Sequence, residues 1–339
     1  MSNIADTVKF GVEIECGVNA RRTDEAGWRQ GSYHNGIEVP NTGGWAWETD
    51  SSLRTVGSQT GRMGEFVSPM LEGKEGFESV ESMTEKLKSV GGFVNHTCGL
   101  HINISHPRLF TARNLRRLCW LHSRFEEALY AANGNNRRNR GSHHYARSIK
   151  SAYKDNGLST ARTMSEIESI HRDKFMSLNL RNAVRGGSRR RVEFRCFGPS
   201  LNPTKIAAYL ALVIGLVEAA MNSSSESPAK EWDIVKGAQS RDWADGTFAM
   251  FKLINYLNWF PRRGTERQCR MEPAADQAKC ELNAVNALGQ FTEDAATMVD
   301  RQTAHARELY RLAAKYDASE GNGVWNETSY RARRLRSIR

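Results

Sequence analysis

No apolar run in this chain approaches the roughly 20 residues that a membrane-crossing helix needs, which argues against a helical membrane protein. The opening residues, MSNIADTVKF, have neither the basic nor the apolar region of a secretory signal. There is no CxxC pair: Cys16, Cys98, Cys119, Cys196, Cys269 and Cys280 are scattered, the pattern of reduced thiols in a cytoplasmic protein rather than of a disulfide framework or a zinc knot. Internal repeats are absent as well. Against these absences stand 339 residues with 39% hydrophobic and 25% charged side chains, enough to build one large domain or two modest ones around a real core.

Acidic residues are missing from particular places, and those places locate the formal charge of +10. The last nine residues, RARRLRSIR, carry five arginines and no acid; without them the charge falls to about +5. A second basic stretch runs from Arg137 to Lys150 with no acid, and a third from Arg185 to Arg195 with one glutamate. Such clusters suit phosphate groups, of a nucleotide or of a nucleic acid.

Strands dominate the first third. Residues 8–16 alternate strictly, with apolar side chains at even positions and Lys9, Gly11, Glu13 and Glu15 at odd ones. Residues 45–50 and 61–68 read as two further strands, the second stopped by Pro69. Residues 98–105 (CGLHINIS) and 189–197 (RRRVEFRCF) alternate again, and FMSLNL after Lys174 reads as another strand. Helical spacing covers 74–90, 111–132 with Thr111 as N-cap, and 204–221. Residues 133–144 are a polar loop, with Arg138, His143, His144 and Tyr145 in or beside it. The order predicts an α+β fold with a mostly antiparallel sheet. The expected organisation is a catalytic domain over 1–221, a linker at 222–231, a helical region over 232–318 and a basic tail at 319–339.

Three separate strands oppose a clean apolar face to a face of ionisable groups. The first presents Glu13 and Glu15, about 7 Å apart from two residues of strand rise. The second presents His101 and Asn103; the third presents Arg191, Glu193 and Arg195. If the three are neighbours, their polar faces form one pocket. Carboxylates suit hard divalent cations such as Mg²⁺ or Mn²⁺, which are commonly shared with nucleotide phosphates. Arginine forks grip phosphoryl oxygens and stabilise the charge that develops in transfer. Joining a carboxylate to an amine needs that equipment, because the acid must first gain a leaving group from ATP.

These segments resemble a family. FGVEIE (10–15), CGLHINIS (98–105) and RRRVEFRCFGPSLNP (189–203) are similar to signature segments of the glutamine synthetase and glutamate–cysteine ligase superfamily. WAWETDSSL (45–53) and GEFVSPML (64–71) bring the chain closer to its amidoligase branch. The resemblance runs in order from residue 8 to about 220. It implies a glutamine-synthetase-like curved, mostly antiparallel sheet, a half-barrel with helices on its convex face. It implies an ATP- and Mg²⁺-dependent carboxylate–amine ligase that works through an acyl phosphate on small-molecule or peptide substrates.

By the same resemblance Glu13 and Glu15 bind different metal ions, His101 and Glu193 complete the site beside the nucleotide phosphates, and Glu65 belongs to the other. Arg195 and an arginine among Arg189, Arg190 and Arg191 contact phosphate, with Arg191, Arg195, Glu65 and Asp50 taken as catalytic. Asp50 is the acid of the second segment, though Glu48 shares its strand face and stays open. Asn103 stands where glutamine synthetase has a second histidine and is placed on the nucleotide side, with Lys174 and Arg138 as further phosphate candidates. The rival expectations are an inactive ligase scaffold that binds nucleic acid through its basic loop and tail, a ligase that its basic surfaces bring to an acidic macromolecule it modifies, and a metal-dependent hydrolase using the same carboxylates without ATP.

Overall fold

The fold is taken from a computed structural model, which describes residues 7–133, 146–149, 157–158, 160–185, 187–222 and single positions at 250, 253–254 and 257 and between 304 and 316. The expected linker at 222–231, the basic tail, most of the 133–144 loop with Arg138, and Cys269 and Cys280 lie outside the described residues. The chain divides into two compact units, one of Met1–Ser123 with Arg138–Ser223, the other of Arg124–Arg137 with Ser224–Arg339.

The first unit holds an open eight-stranded sheet. In chain order its strands are β1 (Lys9–Val18), β2 (Ile37–Glu38), β3 (Ala46–Glu48), β4 (Arg62–Val67), β5 (Leu71–Glu72), β6 (Leu100–Ser105), β7 (Leu178–Asn179) and β8 (Val192–Phe197). They lie in the order β2-β3-β4-β1-β6-β8-β7, with β5 pairing β1, and every pairing is antiparallel. The helices of this unit are α1 (Ala20–Glu25), α2 (Gly73–Ser89), α3 (Ala112–Arg124), α5 (Met164–Ile170), α6 (Arg181–Arg185) and α7 (Pro203–Asn222), with α3 running one residue past its boundary. The second unit contains α4 (Glu126–Ala131), and its described positions between 304 and 316 are helical.

The alternation in the sequence becomes two chemically distinct sheet faces. Phe10, Val12, Ile14 and Cys16 of β1, Leu100, Ile102 and Ile104 of β6, and Val192, Phe194 and Cys196 of β8 are all buried. Two helices are held to that apolar face. Gly76 of α2 approaches so closely that a Cβ there would lie 2.7 Å from the Phe10 ring, and Phe77 meets Phe10 edge-on at 5.5 Å. Tyr209 of α7 stacks on Phe197 at 4.3 Å. Burying each such aromatic contributes roughly 1.5–3 kcal/mol.

The α7 helix corrects one expectation: at 20 residues it is long and apolar enough to cross a membrane by length and composition. It is also 67% buried, which fits the core helix against which the sheet packs. A second correction concerns 111–132, expected as one helix. Thr111 does cap its start, accepting the Asn114 N–H at 3.2 Å, but the helix is interrupted at Phe125. Cys16, Cys98, Cys119 and Cys196 are buried.

Candidate active site

Register assembles the polar face row by row. Glu15 pairs with Glu65 and Glu65 with Glu48, so three acids stand abreast on β1, β4 and β3. Glu13 pairs with His101 across β1 and β6. One row further, Gly11, Asn103, Glu193 and Asn179 line up across β1, β6, β8 and β7. Two residues of β8, Arg195 and Cys196, oppose the single His101, because Leu100 pairs with Phe197 and Ile102 with Phe194. This bulge breaks the even spacing of β8 next to His101.

Close backbone approach at the acid row depends on Gly64. A Cβ there would lie 2.3 Å from Trp47 Nε1 and 2.6 Å from the Glu48 carbonyl, so a larger residue would force β3 and β4 apart.

His101 is the hub. It is 4% exposed, with Nδ1 3.1 Å from Glu13 Oε2, 3.6 Å from Glu65 Oε1 and 3.7 Å from Glu193 Oε1, and Nε2 3.7 Å from Glu15 Oε1. Asn103 Nδ2 donates to Glu13 Oε1 at 2.8 Å, and Arg191 Nε donates to Asn103 Oδ1 at 3.1 Å. Asn179 Nδ2 donates to Glu193 Oε2 at 2.7 Å, while Arg195 pairs with Glu193 Oε1. The Gly99 N–H donates to Glu15 Oε2.

Asn179 is itself fixed. Its Oδ1 accepts the Arg181 N–H at 3.0 Å, and the next N–H, of Leu180, donates to Nε2 of the buried His171 at 3.0 Å.

Crowded charge around His101 displaces the titration of Glu13, Glu65 and His101 itself. Burial opposes the charge of Glu13, but His101, Asn103 and Arg195 overcome it and hold its pKa at about 2. Burial, with the charges of Glu13 and Glu15, pushes Glu65 up to about 8 in spite of His101. Burial and Arg195 work against a charged His101, yet Glu15, Glu13 and Glu65 raise it to about 10. The excess of negative charge is what a bound cation would relieve.

Among the described residues, two donor sets are close enough to hold ions. Glu13, His101 and Glu193 form one, and Glu15, Glu65 and His101 the other, with the ligand atoms of each within 4.8 Å of one another. Carboxylate oxygens in this number fit Mg²⁺ or Mn²⁺, and the two sets share one imidazole.

The structure thus brings together Glu13, Glu15, Glu65, His101, Asn103, Arg191, Glu193 and Arg195. The other candidates lie outside this hydrogen-bonded cluster. Asp50 follows β3, half-buried, with Oδ1 accepting the Ser52 N–H at 2.6 Å. Arg189 is exposed at the end of a 3₁₀ turn (Gly187–Arg189), and Arg190 is half-buried beside it. Lys174 is exposed, its ammonium 5.1 Å from the Phe175 ring centroid. Asn179 and His171 enter the site or its support without having been singled out as site residues, and Glu48, left open beside Asp50, joins the acid row. For Asn179 the available signal was its shared strand face with Ser177; for His171 there was none.

The chain matches the sequence family described as "Putative amidoligase enzyme" over residues 6–217. No curated protein matches it. Among solved structures, it is similar to a chain in the crystal structure of the complex between Prokaryotic Ubiquitin-like Protein Pup and its Ligase PafA, at 13% identity and a TM-score of 0.36. That similarity covers 93% of this chain, which spans 65% of the length of the other.

Proposed function

The chain belongs to the amidoligase family, and from that premise we propose that it is an ATP- and Mg²⁺-dependent carboxylate–amine ligase working through an acyl phosphate. The observation that carries this reading is the convergence, on one sheet face, of two carboxylate–histidine donor sets with the guanidinium groups of Arg191 and Arg195. The half-barrel curvature, with helices on the convex side, belongs to the same proposal.

Glu13, His101 and Glu193 would hold one cation, and Glu15, Glu65 and His101 a second. Bound there, the cations would supply positive charge to the phosphate oxygens of ATP. Arg195, kept charged in spite of burial by Glu193, Glu13 and Glu15, and Arg191, anchored on Asn103, would face the phosphoryl group in transit.

In the first step an oxygen of the substrate carboxylate attacks the γ-phosphorus, the bond to the β–γ bridging oxygen breaks, and ADP leaves. In the second, the amine lone pair attacks the acyl carbon, the carbon–oxygen bond to phosphate breaks, and the amine gives up a proton. Asp50 and Glu65 are the proposed acceptors of that proton. Phosphoryl activation needs no cysteine or serine nucleophile.

The test is ADP release from full-length protein with Mg²⁺ across a panel of carboxylate and amine pairs, with mass detection of the amide. Release that requires both substrates and the metal supports the proposal. ATP turnover unchanged in Glu13→Ala or Glu193→Ala contradicts it.

A further inference from the structure

The turn that precedes β2 has no part in the chemistry above, yet it stands at the acid end of the polar face. Ser32 and Asn35 bridge across it, and a Cβ on Gly31 would lie 2.1 Å from the Asn35 carbonyl oxygen, so glycine alone fits there. At the tip, His34 has φ 60°, the left-handed region, and its N–H donates to Glu48 Oε1 at 3.2 Å. A Cβ on Gly36 would lie 3.4 Å from Glu48 Oε2. Both oxygens of Glu48 are therefore at the turn, whereas Oε1 of Glu15 and Oε1 of Glu65 approach His101.

What Glu48 holds in place is an exposed aromatic pair. Tyr33 is 51% exposed and packs on the His34 ring with 3.7 Å between centroids and 36° between planes. A buried acid (Glu48 is 7% exposed) that anchors an outward-facing tyrosine stabilises no core. The phenol nevertheless lies within electrostatic reach of the site: after burial, the charges of Asp50, Glu65 and Glu48 raise its pKa, and Arg195 lowers it.

An aliphatic amine in neutral water is an ammonium ion. A tyrosine ring beside carboxylates attracts such a cation and disfavours phosphate or carboxylate. We propose that the Tyr33–His34 turn is the amine subsite of the active site, selecting a substrate that arrives as a primary ammonium and holding it between the Tyr33 ring, Glu48 and Asp50. The assignment rests on the ligase reading for its role and on the turn's own geometry for its chemistry. It divides the face by charge: the carboxyl and phosphoryl groups belong beside Arg191 and Arg195, and the nucleophile enters from the β2–β3 side.

The test uses n-butylammonium as probe, with 1-butanol as its uncharged counterpart and adenosine as the stacking control, each titrated against the full chain by saturation-transfer difference NMR. Wild type should bind n-butylammonium and not 1-butanol. Tyr33→Ala should weaken the ammonium by about tenfold, and Tyr33→Phe should keep it, since the ring face carries the attraction. Glu48→Gln, which retains an acceptor for the His34 N–H, should weaken it too. Because Tyr33 is exposed, the melting temperature of Tyr33→Ala should equal that of wild type.

Ammonium affinity unchanged in both Tyr33→Ala and Glu48→Gln overturns the subsite. So does a Tyr33→Ala protein that loses adenosine instead, which would make the turn a nucleobase platform. If amide formation proceeds in Tyr33→Ala with an unchanged KM for the amine, the subsite falls while the ligase reading stands. If n-butylammonium binding follows Tyr33 but no carboxylate–amine pair releases ADP, the ligase reading falls while the cation subsite stands.

Discussion

The two donor sets around His101 keep their carboxylates in different ways. Glu13 and Glu193 have donors on both oxygens: His101 and Asn103 for the first, Arg195 and Asn179 for the second. Glu15 and Glu65 are more sparsely served, Glu15 by the Gly99 N–H and Glu65 by His101 at 3.6 Å. The contrast appears in titration, with Glu13 held at about 2 and Glu65 pushed up to about 8. Glu13 is organised as a carboxylate before any ion arrives. Glu65 reaches its charged form when a cation supplies what hydrogen bonds do not.

Removing a ligand from the organised set should have the largest effect. Glu193→Ala or Glu13→Ala should lower kcat for ADP release about a thousandfold, measured with saturating ATP and Mg²⁺. Loss only in variants of Glu15 and Glu65 would invert the comparison. Next comes the charge between the sets: Arg195→Lys should cost about a hundredfold in kcat, because an ammonium cannot reproduce a guanidinium fork against a phosphoryl group.

Support beneath the organised set should matter less. Asn179→Ala frees one oxygen of Glu193 and should weaken Mn²⁺ binding about tenfold, read by titration followed with electron paramagnetic resonance.

The sparse set makes a prediction about pH. A carboxyl whose folded pKa exceeds its unfolded value near 4.3 stabilises the fold at low pH and loses that contribution as pH rises through the folded value. Glu65, at about 8, should therefore make the metal-free protein less stable between about pH 5 and pH 9. Glu65→Gln should raise metal-free stability at pH 9 by an amount on the order of 2 kcal/mol, and Mg²⁺ should give wild type the same relief. Since Glu65 and His101 both hold protons at pH 7, metal binding should release protons and tighten as pH rises, which calorimetry in buffers of different ionisation enthalpy would show.

Period-two alternation made much of this face legible in the sequence. Glu13, Glu15, His101, Asn103, Glu193 and Arg195 all sit on strands long enough to show the pattern, and the resemblance over Glu65 placed the fourth acid. Legibility failed where no period exists. Arg189 and Arg190 precede β8, in and beside a 3₁₀ turn, where the strand's alternation does not reach, and the resemblance left the choice among Arg189, Arg190 and Arg191 open. Asn179 lies on a strand of 2 residues, too short to announce itself. His171 contributes through a backbone N–H, and Tyr33 and His34 through a turn whose purpose depends on an acid 14 residues later, contacts that no local pattern encodes. The break at Phe125 is not encoded in the helical spacing over 111–132, whereas the extent of α7 is legible to within one residue at each end.

The most direct test of the ligase reading is amide formation itself. Purified full-length protein with MgATP should release ADP only when a carboxylate and a primary amine are both supplied, with one amide formed per ADP and both lost in Glu193→Ala. ADP release without the amine partner's incorporation, or amide formation that persists in Glu193→Ala, would contradict it.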